Sequence, residues 1–348
     1  VYKRQGRHRD KAMRPAVRVR TVNGPFRDPV IFLDFLYEKR ALLFDAGDIR
    51  NLMPREMLRI SDVFVSHTHM DHFADLDWLL RVCLGRDMTV RLFGPGGFIE
   101  RMTHKLGAYT WNLVKNYEAD LRLEVTEVHE DDHARRALFS CRSAFRPQQL
   151  DPLPIREGVL VDETACRVRT VSLDHGGIPC LGFSFEEKLH VNIWKNRLEA
   201  MGLPAGPWLT DLKNAVLAGS PDIAPVRAWW RDGDRIRERH LPLGDLRRDV
   251  VKITPGTRIG YLVDFADTPR NRELAVTLVR GADRLYIEAP FLHEEAVLAR
   301  RKGHLTARQA GEIARAASVR EMTPLHFSPR NSDREQELVD EAMTAFRQ

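Results

Sequence analysis

Residues 67 to 72 read His67-Thr68-His69-Met70-Asp71-His72, three imidazoles and one carboxylate within six positions. They follow directly on the apolar run Val63-Phe64-Val65-Ser66, which has the composition of a buried strand. Bringing so many polar rings to the end of such a strand costs free energy unless something gathers them. Imidazole and carboxylate are the ligands that divalent transition metals take where thiolate is absent. A solvated loop could also carry clustered histidines, but it would not need an apolar strand in front of it. The cluster points to a metal site whose remaining ligands come from elsewhere in the chain.

The 348 residues suit one large domain or a domain with a sizeable insertion. Hydrophobic content of 43% and charged content of 30% are those of a soluble globular protein. No apolar run approaches the roughly 20 residues needed to cross a bilayer. The basic N-terminus has no apolar stretch behind it, so no signal peptide and a cytoplasmic location are expected. Residues 1–12 read as a non-native or disordered leader, Met13 as a sensible start, and 13–348 as the folded domain. Cys83, Cys141, Cys166 and Cys180 form no Cys-x-x-Cys pair and are expected to be reduced, buried small hydrophobes. A net charge of +5 weakly favours a polyanionic partner.

Strand-length apolar runs occur at 30–37, 41–44, 63–66 and 89–93, with an amphipathic helix expected over 73–84 and another reaching about 106. Residues 121–186 read mainly as strands: 121–128, 137–144, 158–163, 166–173 and 181–185. From about 187 to 255 Pro and Gly breaks, Trp229-Trp230 and a dense run of Arg mark an insertion. Strand and helix then alternate, with strands at 258–264, 284–288 and 321–325, helices from Asn271 and through Ala317, and a closing helix to Phe346. The pattern implies an α/β fold of two sheets packed face to face with helices outside. Three further polar residues stand at strand ends: His175, Asp264 and His326. Each has apolar residues before it and a turn after it, which is how a strand delivers a side chain to a rim.

Together these residues resemble the metallo-β-lactamase superfamily of hydrolases, and within it the ribonuclease Z branch of tRNA 3′-processing endonucleases. The superfamily's strand-end Asp is matched by Asp45 in Leu43-Phe44-Asp45-Ala46-Gly47-Asp48, and its His-x-His-x-Asp-His motif by His67 to His72. Residues 174–187, the stretch Gly202-Leu203-Pro204-Ala205-Gly206-Pro207, Glu288-Ala289-Pro290-Phe291, His304-Leu305-Thr306-Ala307 and His326-Phe327-Ser328-Pro329-Arg330 are similar to later motifs, in the family's order. The resemblance spans about residues 16–346. It implies a four-layer αββα sandwich of two mixed sheets with an inserted arm. It further implies two divalent metal ions, zinc by default. His67, His69 and His175 would hold the first, Asp71, His72 and His326 the second, and Asp264 would bridge them. Asp71 would accept the proton of the water that becomes the attacking hydroxide, while His304, oriented by Glu288, would serve the leaving group. Asp45 would hold the histidine loop. Asp267, followed by Thr268-Pro269, is the alternative bridging residue; otherwise it is a helix N-terminal Asp.

The implied activity is a metal-dependent phosphodiesterase that cuts RNA at the tRNA 3′ trailer, working as a homodimer on precursor tRNA and away from membranes. Some features depart from the family. Gly47-Asp48-Ile49-Arg50 replaces its Gly-Glu-Gly-Thr-Gln, Phe73-Ala74-Asp75-Leu76 replaces its Gly-Leu-Pro-Gly, and residues 22–29 hold only a short segment where a substrate-inspecting loop belongs. A small-molecule hydrolase of the same fold, acting on a lactone, sulfate ester or cyclic phosphodiester, and a non-catalytic RNA-binding relative are the competing readings. The insertion is either an RNA-gripping arm, with Trp208 stacking on a base or on packing partners, or a lid or dimer contact. His8, His104, His129, His133, His190, His240 and His293 read as surface or ordinary core residues.

Overall fold

The apolar runs pair into two mixed sheets. The computed structural model describes residues 17–129, 133–233 and 235–348. The expected leader and His8 lie outside them. The first sheet has β1 (Val17–Thr21), β2 (Ile31–Phe35), β3 (Ala41–Phe44), β4 (Ile60–Phe64), β5 (Met88–Pro95), β6 (Leu121–Val128), β7 (His133–Ser140) and β8 (Pro147–Pro154), paired in chain order. Strands β3 to β6 run parallel and the outer ones antiparallel. The second sheet begins with β9 (Val159–Asp162), β10 (Cys166–His175) and β11 (Ile178–Glu187). The chain then leaves for β12 (Leu189–Ile193), β13 (Pro225–Asp232), β14 (Arg235–Pro242) and β15 (Val251–Pro255). It returns for β16 (Arg258–Leu262), β17 (Arg284–Glu288) and β18 (Glu321–Leu325), giving the order β18-β17-β16-β11-β10-β9.

Alternation along these strands sends one face of each sheet inward and the other toward helices. The inward faces meet in a layer that includes Ile31, Leu33, Phe44, Phe64, Phe93, Phe183, Phe185 and Tyr261. Phe44, Phe64 and Phe93 are register partners on β3, β4 and β5, and neighbouring rings stack with centroids 5.0 Å apart. Phe183 of the facing sheet lies 5.8 Å from Phe44 and 5.6 Å from Phe64. Each buried ring contributes roughly 1.5–3 kcal/mol, and the stack lies directly under the residues that follow β3 and β4. The outer face of the first sheet packs on the helices Leu76–Cys83 and Phe98–Gly107. The outer face of the second packs on Pro269–Val279, Ala307–Ala316 and Glu335–Arg347. This is the expected αββα layering.

Two local expectations fail for physical reasons, and one open alternative is decided. The stretch 73–84 is not one helix: Met70–Phe73 ends before Asp75, whose carboxylate accepts from Ile49 N at 3.2 Å and Arg50 Nε at 3.2 Å, and a second helix starts at Leu76. Strand β8 is absent from the sequence reading because Pro147, Pro152 and Pro154 argue against a strand; it survives as the exposed sheet edge, where a missing N–H costs least. Of the two roles weighed for Trp208, stacking on packing partners is the one it fills. It is fully buried, donates through Nε1 to Pro204 O at 3.1 Å, and anchors a separate apolar cluster with Leu198, Leu203, Leu212, Val226 and Leu246. Base stacking is thereby excluded for it. Trp208→Ala is expected to cost about 3–5 kcal/mol, read as accelerated amide exchange across residues 191–250 with protection of β3 and β4 unchanged.

Candidate metal centre

Parallel strands bring their C-terminal ends to one rim, the general position of sites in such sheets. Asp45 follows β3, His67 follows β4, His175 ends β10, Asp264 follows β16, Glu288 ends β17 and His326 follows β18. Within the motif, His67 and His69 leave extended backbone two residues apart and so share one side. Asp71 and His72 stand in the short helical turn Met70–Phe73 and face another way. The described residues make three groups whose donor atoms all lie within 4.8 Å of one another: His67, His69, His175 and Asp264; Asp71, His72, His326 and Asp264; and Asp264, Glu288, His304 and His326. Asp264 belongs to all three, and the first two are the sets expected to hold metal.

Asp264 Oδ2 lies 3.3 Å from His72 Nε2, 3.5 Å from His67 Nε2 and 3.7 Å from His175 Nε2, and Oδ1 lies 2.7 Å from His326 Nδ1. His67 Nε2, His72 Nε2, Asp264 Oδ1 and His326 Nδ1 are buried without a well-formed hydrogen bond. Atoms bound tetrahedrally at 2.0–2.1 Å to one zinc ion would stand about 3.3 Å apart. The donor set and its orphaned polar atoms therefore fit divalent cations.

Burial and the neighbouring His72 push the His67 imidazole down to about 2, leaving it a neutral ligand. Burial opposes charge on Asp264, but His326 and His72 outweigh it and hold the carboxyl well below its usual range. Asp71 behaves alike: burial is outweighed by the hydrogen bond with His326 and the neighbouring His72 imidazole.

No protein-family model matches the chain. The ribonuclease Z of Deinococcus radiodurans is 30% identical over 314 residues, covering 89% of this chain and 88% of that protein. This chain belongs to the ribonuclease Z family. A second ribonuclease Z, from Porphyromonas gingivalis, is 29% identical over 83% of this chain and 78% of its own. Among solved structures, a metallo-β-lactamase fold protein of Bacillus subtilis superposes with a TM-score of 0.52 at 15% identity, covering 95% of this chain and 93% of that one. The human short-form tRNase Z does so with 0.51 at 19%, covering 90% and 93%. The fold is that of the metallo-β-lactamases, and the ribonuclease Z relationship makes the chain a hydrolase with residue groups suited to divalent metal ions.

The other residues singled out in this ribonuclease Z relative also occupy definite places. Asp45 is fully buried. Its Oδ1 accepts from Ser66 N at 2.6 Å, and its Oδ2 accepts from Ser66 Oγ at 2.8 Å, His72 Nδ1 at 2.8 Å and Tyr261 OH at 2.7 Å. It thus aims His72 Nε2 into the centre. Glu288, also fully buried, accepts from His304 Nδ1 at 2.7 Å, Leu305 N at 3.1 Å and Phe265 N at 3.2 Å. Burial works against a proton on His304, but Glu288 outweighs it and raises the imidazole above its ordinary value. Asp267 stands apart, ion-paired with Arg272 and accepting from Gln309 Nε2 at 2.6 Å; Thr268, not Asp267, caps the following helix.

Sequence reasoning missed three supports. Tyr261 was taken for part of an apolar strand, yet a buried phenol needs a polar partner, and that requirement was its signal. Ser66 was read only as the end of a run. Gly303 O accepts from His175 Nδ1 at 2.9 Å, and a Cβ on Gly303 would stand 2.9 Å from Gly176 N; its position just before His304 was the hint. The segment 22–29 is short but docked: Pro25 O accepts from Phe327 N at 2.7 Å, and Pro29 O lies 3.0 Å from Tyr261 OH.

Removing divalent ions should leave those buried donor atoms uncompensated. The melting temperature is expected to fall by on the order of 5 °C with chelator and to recover when zinc is restored, as read by scanning calorimetry; an unchanged melt would show that the cluster satisfies itself.

Proposed function

We propose that the chain is an endoribonuclease that removes 3′ trailers from precursor tRNA, with two divalent ions held by the residues described above. The observation that carries this is the sharing of Asp264 by two donor groups with the Glu288–His304 pair beside them. The family relationship supplies the substrate class. Zinc suits a set of five imidazoles and two carboxylates without thiolate. Two carboxylates against two divalent charges leave the centre at +2, which favours a phosphodiester. When bound, the metals would lower the pKa of a water and neutralise charge on phosphate oxygens.

The chain's own residues divide the remaining work. Asp71 sits at the half-open rim and can take the proton from the attacking water at a carboxylate oxygen. Glu288 accepts Nδ1–H of His304, which keeps the ring's other nitrogen available to protonate the leaving oxygen. Asp45 and Gly303 O fix His72 and His175 so that neither ring must reorganise.

The stretch from β12 to β15 is assigned to gripping RNA away from the scissile bond. It leaves β11 at Glu187 and rejoins at Arg258, the end of β16 opposite Asp264. Five strand residues span about 17 Å, so a lid over the chain's own centre fits this placement poorly. An arm that touches distant RNA or a second copy in a homodimer fits better. Much of its charge is locally paired, as in Arg227–Glu238, Arg237–Asp232 and Arg247–Asp222. The docked, short 22–29 segment favours a second reading, hydrolysis of a small ester on the same centre.

The test is cleavage of precursor tRNA and of bis(p-nitrophenyl) phosphate with and without chelator. Chelation should stop both. His304→Ala should slow RNA cleavage about 10²–10⁴-fold with metal content per chain unchanged, and Asp71→Ala should abolish turnover of both substrates. Turnover of the aryl diester beside intact precursor tRNA would replace the RNA assignment with the small-ester one.

A further inference from the structure

The segment between β1 and β2 forms one wall of a cleft of about 260 Å³. The opposite wall is built from β18 and the residues after it, with Pro324 and Phe327, and from Val339 of the helix Glu335–Arg347. Small-ligand sites usually measure ~300–1,000 Å³. This one has room for a single flat ring system and none for a folded strand.

Two observations tie the cleft to the metal rim. Phe327 comes directly after His326, and its N–H is held by Pro25 O at 2.7 Å. On the facing wall, Asp28 reaches the turn that presents Asp71. A Cβ on Gly47 would stand 2.7 Å from Asp28 Oδ2 and 1.7 Å from Asp71 O, so these two oxygens are at most about 4.4 Å apart. A side chain at position 47 would keep the segments from converging.

The backbone of Asp28 is fixed, because Asn23 Nδ2 donates to Asp28 O at 2.9 Å and to Asp48 O at 2.8 Å. Its carboxylate is half-buried, and among the described residues no donor is bonded to it. Burial and the like charges of Asp71 and Asp48 disfavour its ionised form. A donor that enters the cleft would relieve that cost. The other charged residues of the lining limit what enters. Asp28 and Glu335 are its acids and Arg27 its guanidinium, which itself lies 4.0 Å from Asp48. A phosphate would meet net repulsion there. A neutral, flat group with N–H donors on its edge would meet apolar walls and an unoccupied acceptor.

We infer that this cleft takes the base of a nucleotide next to the scissile phosphate, and that Asp28 reads the base by accepting from its Watson–Crick edge. This rests on the endoribonuclease reading above. Unstacked bases of single-stranded RNA are read on that edge, and an ionised carboxylate only accepts. Guanine presents N1–H and the N2 amino group side by side, one donor for each carboxylate oxygen. Adenine and cytosine present one amino group beside a ring nitrogen that accepts. Uracil presents N3–H between two carbonyls, which repel a carboxylate. The expected order is guanine first and uracil last.

The experiment uses the full chain with zinc and RNA oligonucleotides spanning a cleavage site, with guanine, inosine, adenine, cytosine or uracil placed in turn at each of the two positions on either side of the cut. At one position the wild type should show kcat/KM about tenfold or more higher for guanine than for uracil, the scale of one bidentate contact. Inosine, which lacks the N2 amino group, should fall in between. Asp28→Asn replaces one acceptor by a donor and should bring the guanine-to-uracil ratio to within about twofold of unity. Val339→Phe narrows the cleft from the opposite wall and should flatten the same preference. Each ratio is taken within one variant, so loss of folded protein cancels from it. Equal kcat/KM for every base at every position in the wild type, or a guanine preference that survives Asp28→Asn, would overturn the base site and leave the endoribonuclease reading standing. A wild type that turns over bis(p-nitrophenyl) phosphate but cuts no RNA would overturn that reading itself, and the base site with it.

Discussion

Asp264 is a carboxylate with almost no solvent exposure, faced by imidazoles from both halves of the chain. An unpaired buried charge of this kind costs several kcal/mol. Its compensation comes from His72 on the first sheet's rim and from His326 on the second's, with His67 and His175 beside it as further donors. The centre therefore exists only when the two sheets meet in one register. The aromatic layer under it fixes that register. Phe44, Phe64 and Phe93 stack across three strands, and Phe183 of the other sheet packs against two of them. A one-residue slip of β3 or β4 would turn these rings outward and carry Asp45 or His67 to the wrong face.

Backbone geometry at the rim follows from the same demand. Asp45, Asp264 and His326 all have positive φ, at 59°, 48° and 58°. Such residues cost about 1–3 kcal/mol each, and glycine would relieve the strain. Glycine has no carboxylate or imidazole, so the strain persists and the surroundings enforce it. Asp45 N donates to Phe64 O at 2.8 Å, Ala289 N to Leu325 O at 2.9 Å just before His326, and Phe327 N to Pro25 O at 2.7 Å just after it. Each sharp turn sits between two anchored neighbours. The chain folds back at once after the strand and the side chain points along the rim toward the shared centre.

How much of this was legible depends on whether a residue broke the pattern around it. His67 to His72, His175, Asp264 and His326 stood out as polar groups closing apolar runs, and the structure gathers all of them. The layering was legible from strand and helix alternation. What could not be read was pairing at a distance. Nothing near Tyr261 says that its hydroxyl meets Asp45, 216 positions away, and nothing in Gly303 says that its carbonyl orients His175. Local rules also failed where tertiary context overrode them. Three prolines hid β8, and Asp75 cut a helix that periodicity continued.

The division of the molecule constrains which substrates can use all of it. The metal centre and the Glu288–His304 pair occupy one end of the sandwich, whereas the inserted cluster is rooted at the other. That cluster has its own apolar interior, and Lys213 lies over the Tyr37 ring at 4.5 Å, next to the turn between β2 and β3. A small ester would engage only the rim, and the insertion would contribute nothing to its turnover. A folded RNA is long enough to engage both ends. Binding energy from the distant contact can then hold the scissile phosphate in place without any change in the centre's own geometry. A centre so rigidly enforced leaves substrate choice to the surfaces around it, and the insertion can vary in sequence without disturbing the strained strand ends.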